Sequence, residues 1–167
     1  AMLAVKTAAV LGQRERGFRL TEAQITEGIR TARWAGRMER AGENLYLDGA
    51  HNPGGIKAFI QAAASMAARQ KKKAYLLFGA VSDKDYRAMA RLLCERISWA
   101  GIGVVHIDSS RSMDTEVLAE AFSQAYKGPV RAFETAGEAL REMKKQAGDE
   151  LLFCAGSLYL IGELKVQ

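Results

Sequence analysis

Five short apolar runs rich in strand-forming residues recur along the chain, and each gives way to a stretch with helical spacing. The runs are Leu45–Asp48, Ala74–Gly79, Gly103–Asp108, Val130–Phe133 and Glu150–Cys154, with helical segments near 54–70, 84–98, 114–126, 135–147 and 157–165. In the first of these segments Ile56, Phe59, Ile60 and Ala63 recur at three- and four-residue steps, the stripe of a helix laid on a sheet. Ala136, Ala139, Leu140 and Met143 repeat that spacing later. Strands that are apolar along their whole length belong to a sheet covered on both faces. The pattern therefore predicts a Rossmann-like, doubly wound α/β domain. Its mostly parallel sheet should have five to six strands, with helices on both faces.

At 167 residues the chain buries enough surface to fold without a disulfide or metal staple. Cys94 and Cys154 are far apart and each sits in an apolar stretch, so both are expected to be buried free thiols. The net charge of +5 comes from 24 basic and 19 acidic residues that are scattered. Lys71-Lys72-Lys73, the single basic run, falls at a helix end, where cations suit the negative end of the dipole. No basic patch with interleaved aromatics points to nucleic acid, and no apolar run is long enough for a membrane helix. No secretion signal is visible, so a cytoplasmic protein is expected. The charge balance suits small anionic ligands.

Residues 1–36 depart from the alternation. Leu3, Val5, Ala8, Ala9 and Leu11 suggest a helix ending between Gly12 and Gly17. Thr21-Glu22-Ala23-Gln24 has the spacing of a capping box and predicts a second helix to about Arg33. Two helices with no strand before them read as the tail of a preceding domain plus a linker, or as a cap on the sheet domain. The sheet domain itself is then residues 37–167.

In an open parallel sheet, ligands bind beyond the carboxyl ends of the strands. The stretch after the first strand is Asp48-Gly49-Ala50-His51-Asn52-Pro53-Gly54-Gly55. It puts a carboxylate at the strand end, an imidazole in the turn, and Pro53 in the first helical turn, where a missing N–H is harmless. An ordinary strand–turn–helix explains Asn52, Pro53 and one glycine, but it does not require Asp48 and His51. A core role for either is not expected. His106, inside an apolar run, reads as a core or sheet-edge histidine, and Trp34 and Trp99 read as packing residues. Asp108–Ser112 follows the third run without a specific motif.

Four segments carry a resemblance. Leu45-Tyr46-Leu47-Asp48-Gly49-Ala50-His51-Asn52-Pro53 resembles the motif that opens the C-terminal domain of the folylpolyglutamate synthase/dihydrofolate synthase family, within the Mur ligase superfamily. Trp34-Ala35-Gly36-Arg37-Met38-Glu39 is similar to that family's junction element W-P-G-R-x-E, with Ala35 in the proline position. Phe78-Gly79-Ala80-Val81-Ser82-Asp83-Lys84-Asp85 is similar to its F-G-x-x-x-D-K-D segment, and Gly156-Ser157-Leu158-Tyr159-Leu160-Ile161-Gly162-Glu163 to its terminal G-S-L-Y-x-x-G-E.

The resemblance implies half of an ATP-dependent amide ligase. In that family ATP phosphorylates a folate or dihydropteroate carboxylate, and the amine of L-glutamate attacks the acyl phosphate. The P-loop, the main Mg2+ ligands and the folate pocket belong to an N-terminal ATPase domain, and no G-x-x-x-x-G-K-[ST] occurs in this chain. The chain alone is thus expected to be inactive. By resemblance Arg37 and Asp48 contact ATP, His51 and Ser157 serve catalysis or glutamate placement, and Lys84 and Asp85 receive an anionic substrate. The plainer alternatives are an Arg37–Glu39 ion pair, a structural turn histidine at 51 and an exposed helix-start pair at 84–85. A cell-wall precursor ligase domain and a non-catalytic nucleotide-binding module remain as other readings. The Asp-Lys-Asp and Gly-Ser-Leu-Tyr segments favour the folate branch.

Overall fold

Residues 2–14, 20–32 and 34–166 are described by the structure, a computed structural model, and they fall into two units divided between Trp34 and Ala35. The first unit holds α1 (Met2–Arg14) and α2 (Glu22–Thr31). Thr21 caps α2 as its spacing predicts: its hydroxyl accepts from the Gln24 amide at 3.2 Å, and Gln24 Oε1 accepts from the Thr21 amide at 2.9 Å. None of the α2 residues is buried, and Leu3, Val10 and Leu11 of α1 are exposed. The expected helix ends at Gly17 and Arg33 lie outside the described residues.

The second unit is built on a six-stranded sheet in the order β1-β2-β6-β3-β4-β5. Its strands are β1 (Glu39–Arg40), β2 (Leu45–Leu47), β3 (Ala74–Phe78), β4 (Trp99–Val105), β5 (Val130–Phe133) and β6 (Leu151–Ala155). β1 pairs antiparallel with β2, and the other pairs are parallel. The helices are α3 (Pro53–Gln70), α4 (Tyr86–Arg96), α5 (Thr115–Ser123), α6 (Ala136–Ala147) and α7 (Leu158–Lys165).

Side chains alternate across the strands, which gives the sheet two cores. Ile56 and Phe59 of α3, Met89 of α4 and Phe122 of α5 pack with Leu76, Phe78, Val104 and Phe153. Leu140 and Met143 of α6 and Leu160 and Ile161 of α7 pack with Leu47, Leu77, Val105 and Cys154 on the opposite face. Phe153 is the centre of the first core, with the rings of Tyr46, Phe59 and Trp99 around it at centroid distances of 5.7, 6.0 and 6.3 Å. β2 and β6 are neighbours, yet α3 follows β2 onto one face and α7 follows β6 onto the other. Such a switch opens a crevice at the carboxyl ends of the two strands.

Several expectations are revised. β4 begins at Trp99, four residues before the apolar run that announced it. His106 lies just past β4 and is exposed, because the strand ends at Val105 and only its main-chain N–H continues the pairing, donating to Phe133 at 3.0 Å. Trp99 is a packing residue whose Nε1 donates to the Leu93 carbonyl at 2.9 Å. Trp34 is not: it is 79% exposed, in a segment that belongs to no helix or strand. Cys154 is buried but Cys94 only half-buried, and both are free thiols.

Candidate functional site

The crevice between β2 and β6 is organised by Asp48. Its amide donates to Cys154 at 2.9 Å, which continues the β2–β6 pairing by one step. Its side chain is 6% exposed, and both carboxylate oxygens are in use: Oδ1 accepts from the Ala50 amide and Oδ2 from the Met38 amide, each at 2.9 Å. Met38 has φ of 43°, an uncommon left-handed conformation for a residue with a side chain. Asp48 therefore binds the strand-end turn to the Gly36–Glu39 segment that carries Arg37. A structural role, unexpected from the sequence, belongs to this carboxylate whatever else it contacts.

The Gly36–Glu39 segment is held at two further points. Gly49 donates to the Gly36 carbonyl at 2.7 Å, and Glu39 Oε2 accepts from the Gly36 amide at 2.6 Å and from Lys165 Nζ at 2.8 Å. The main-chain bond from Gly36 and the Lys165 ammonium take up Glu39, so the Arg37–Glu39 pair considered above does not form. No carboxylate lies within ion-pair distance of Arg37 among the described residues. Its guanidinium rests over Gly49, where a Cβ would stand 3.1 Å from Nη1 and would overlap Leu158. A side chain at 49 would force Leu158, and to a lesser degree Arg37, to move.

His51 is half-buried in the same turn, and its Nδ1 lies 2.7 Å from the Gly49 carbonyl. A carbonyl only accepts, so Nδ1 carries the proton and Nε2 of the neutral ring is the free base. Asn52 closes the turn by accepting from the Gly55 amide at 2.8 Å, and Pro53 opens α3. Arg37, Met38, Asp48, Ala50, His51, Asn52, Gly55 and Phe59 line one cleft of about 270 Å³.

Of the six residues singled out, the structure brings together Arg37, Asp48 and His51; the other three do not line this cleft. Ser157 is buried at the start of α7, and its hydroxyl accepts from the Tyr159 amide at 3.1 Å. Asp85 caps α4 by accepting from the Ala88 amide at 3.0 Å. Lys84 points its ammonium at Asp83, 3.2 Å away. Capping residues and ligand-binding residues at strand ends are the same types, and spacing alone does not separate them. Gly156 knits the strand ends: its amide donates to the Ala50 carbonyl at 2.9 Å, its φ is 112°, and a Cβ would overlap the Gly79 carbonyl.

Sequence reasoning passed over the grouping of Asp83, Arg111 and Tyr159. Arg111 Nη1 lies 3.6 Å from Asp83, and Arg111 Nη2 donates to the Tyr159 hydroxyl at 2.9 Å. Asp83 is held below the ordinary carboxylate range, first by its hydrogen bond from Lys84 and then by the charges of Lys84 and Arg111. The motif positions of Asp83 and Tyr159 hint at two of its members, but no motif includes Arg111. No group of three or more His, Cys, Asp or Glu side chains is arranged to hold a metal ion among the described residues.

The fold is a doubly wound α/β domain, and at its strand-end switch, where such folds hold their ligands, stand an oriented imidazole and a guanidinium with no carboxylate partner among the described residues. Residues 36–158 match the model of the Mur ligase, glutamate ligase domain, family, and the chain belongs to that family. It is 34% identical over 164 residues to a probable bifunctional folylpolyglutamate synthase/dihydropteroate synthase of Halobacterium salinarum, covering 96% of this chain and 19% of that protein. It is 26% identical over 165 residues to folylpolyglutamate synthase of Lacticaseibacillus casei, covering 98% of this chain and 36% of that one. The crystal structure of a bifunctional folylpolyglutamate synthase/dihydrofolate synthase from Yersinia pestis, complexed with AMPPNP and a manganese ion, superposes with a TM-score of 0.79 at 24% identity. That match covers 95% of this chain and 36% of that one. The chain thus spans between a fifth and just over a third of the length of these proteins.

Proposed function

We propose that this chain is the C-terminal, glutamate-adding domain of an ATP-dependent ligase. That ligase would join L-glutamate to a folate or dihydropteroate carboxylate in the cytoplasm. The observation that carries the reading is the cleft in which Arg37, Asp48 and His51 converge, in a chain of the glutamate ligase domain family. The residues fit a nucleotide: Arg37 has no carboxylate partner among the described residues, and a guanidinium matches phosphate oxygens in charge and geometry. They do not fit a metal site of their own, so Mg2+ would be held by an N-terminal ATPase domain, which residues 1–36 would join to this one.

The chemistry has two displacements. A carboxylate oxygen of the pterin substrate attacks the terminal phosphorus of ATP and ADP leaves. The glutamate nitrogen then attacks the acyl carbon, inorganic phosphate leaves, and the nitrogen loses a proton. Arg37 is placed to hold phosphate oxygens, and His51 Nε2, with Nδ1 committed to Gly49, is placed to take the proton. Asp48 orients Arg37 by fixing the Met38 amide, besides any contact of its own with the nucleotide. Ser157, buried under its own helix, acts by setting the first turn of α7, and Lys84 and Asp85 face the anionic substrate.

Glutamate-dependent release of ADP tests the reading. It should appear in the complete ligase carrying this domain and be absent from the 167-residue chain. Turnover by the chain alone would show that the domain holds a whole site. No glutamate dependence in the complete protein would remove the ligase assignment.

A further inference from the structure

Arg37 is the cation of the cleft, and an acid, Glu39, stands two residues from it in the chain. The two do not pair, and the reason lies on the other side of Glu39. Its Oε2 accepts from the Gly36 amide at 2.6 Å and from Lys165 Nζ at 2.8 Å. Lys165 is the last residue of α7, and it crosses from there to β1. Arg141 and Lys144 of α6 line the same cleft of about 460 Å³ as Glu39 and Lys165, so the surroundings on that side are positive as well. Arg40, next in the chain, spends its guanidinium on the Gly42 and Glu43 carbonyls at 3.1 Å each.

Holding β1 in place does not require the Glu39–Lys165 pair. β1 is already fixed by its pairing with β2 and by the grip of Asp48 on the Met38 amide. The two side chains are 30 and 37% exposed, and an ion pair open to water to that degree adds only about 0.2–1 kcal/mol. So weak a bond still decides which of two cations takes a carboxylate. Without Lys165, the Glu39 carboxylate can turn to Arg37 and compete with an incoming anion from within the chain.

We propose that Lys165 is a positioning residue for Arg37: it draws Glu39 away and so keeps the guanidinium free of a carboxylate until an anionic ligand arrives. The proposal rests on the ligase reading above, in which that ligand is ATP. It explains why an acid beside the phosphate-binding residue does not block it. An internal competitor of this sort raises the ATP concentration needed and is displaced at saturation.

In the complete ligase, Lys165→Met should raise KM for ATP about twofold to fivefold, the worth of an exposed ion pair, with kcat and KM for glutamate unchanged. Lys165→Arg should behave as the wild type. Adding Glu39→Gln to Lys165→Met should restore most of the loss, because the amide oxygen still accepts from Gly36 and carries no charge to set against phosphate. In an Arg37→Met background Lys165→Met should have no further effect on KM for ATP. An unchanged KM in Lys165→Met, or a rise that persists after Glu39→Gln or Arg37→Met, overturns the proposal. Should the wild-type ligase show no glutamate-dependent turnover, the ligase reading is what fails. NMR titration of the Glu39 carboxyl carbon in the 167-residue chain then decides the role of Lys165. Arg37→Met should leave the Glu39 midpoint nearly unchanged when Lys165 is present and raise it clearly in Lys165→Met, where the carboxylate loses its new partner. The same response with and without Lys165 overturns the proposal.

Discussion

Replacing Asp48 with alanine removes the acceptor of two main-chain amides at once. The Met38 and Ala50 amides donate to opposite carboxylate oxygens at 2.9 Å, on a side chain only 6% exposed. Hydrogen bonds to a charged acceptor contribute about 1.5–3 kcal/mol each, so losing both costs about 3–6 kcal/mol. That is a large part of the ~5–15 kcal/mol by which a domain of this size is stable. Met38 adds to the effect, since its left-handed backbone persists only while its surroundings hold it. At about 3–4 °C per kcal/mol the melting temperature should fall by roughly 10–20 °C. Asp48→Asn keeps one acceptor and turns an amino group toward the other N–H, so it should lose about half as much. His51→Ala breaks one bond to a carbonyl, worth about 1 kcal/mol, and should cost only a few degrees. Thermal denaturation of the chain and these three variants, followed by circular dichroism, checks the ordering. An Asp48→Ala variant melting as high as His51→Ala would refute the assignment of Asp48 as the clamp on Met38.

Gly156→Ala should cost about 3 kcal/mol or more, because its backbone φ disfavours a side chain and its Cβ would overlap the Gly79 carbonyl, which cannot rotate away; urea denaturation measures it. Both thiols should resist iodoacetamide in the native protein at pH 8 and react after denaturation, since burial pushes Cys94 up to about 11 and Cys154 higher still. Timed alkylation read by mass spectrometry follows both residues. Glu39 is held below its ordinary value of 4.5, first by the hydrogen bond from Lys165 and then by the Gly36 amide. Its stabilisation is therefore complete above pH 4.5 and is lost as pH falls through the lower folded value. Lys165→Met should melt below the wild type at pH 7, and the gap should narrow as the pH falls below 4.5, as paired melting curves taken across that range would show.

The layered fold was legible because its strands are continuous apolar runs and its helices carry one-sided stripes, as Ile56, Phe59 and Ile60 do. β1 was not, since Glu39–Arg40 is two charged residues paired only through the main chain. The start of β4 was hidden by Gly101, a residue type that weakens a strand pattern. It stands there because a Cβ would come 2.8 Å from Gln146 and 2.9 Å from Tyr75. At the site, the strand-end turn was readable from Asp48 to Pro53, but not how Asp48 spends its oxygens. That depends on Met38, ten residues earlier, being brought back beside β2. The Arg111–Asp83–Tyr159 cluster joins two loops and the first turn of α7, and no local spacing encodes such a meeting.

The central claim is that His51 acts on the reaction and not on the fold. Steady-state kinetics of His51→Ala in the complete ligase, with the pterin substrate, ATP and glutamate each varied separately and a melting curve taken beside them, tests it most directly. The account predicts turnover lowered about a hundredfold or more, KM for the pterin substrate nearly unchanged, and a melting temperature within a few degrees of the wild type. Wild-type turnover in a protein whose melting temperature has collapsed would contradict it and make His51 a structural turn residue.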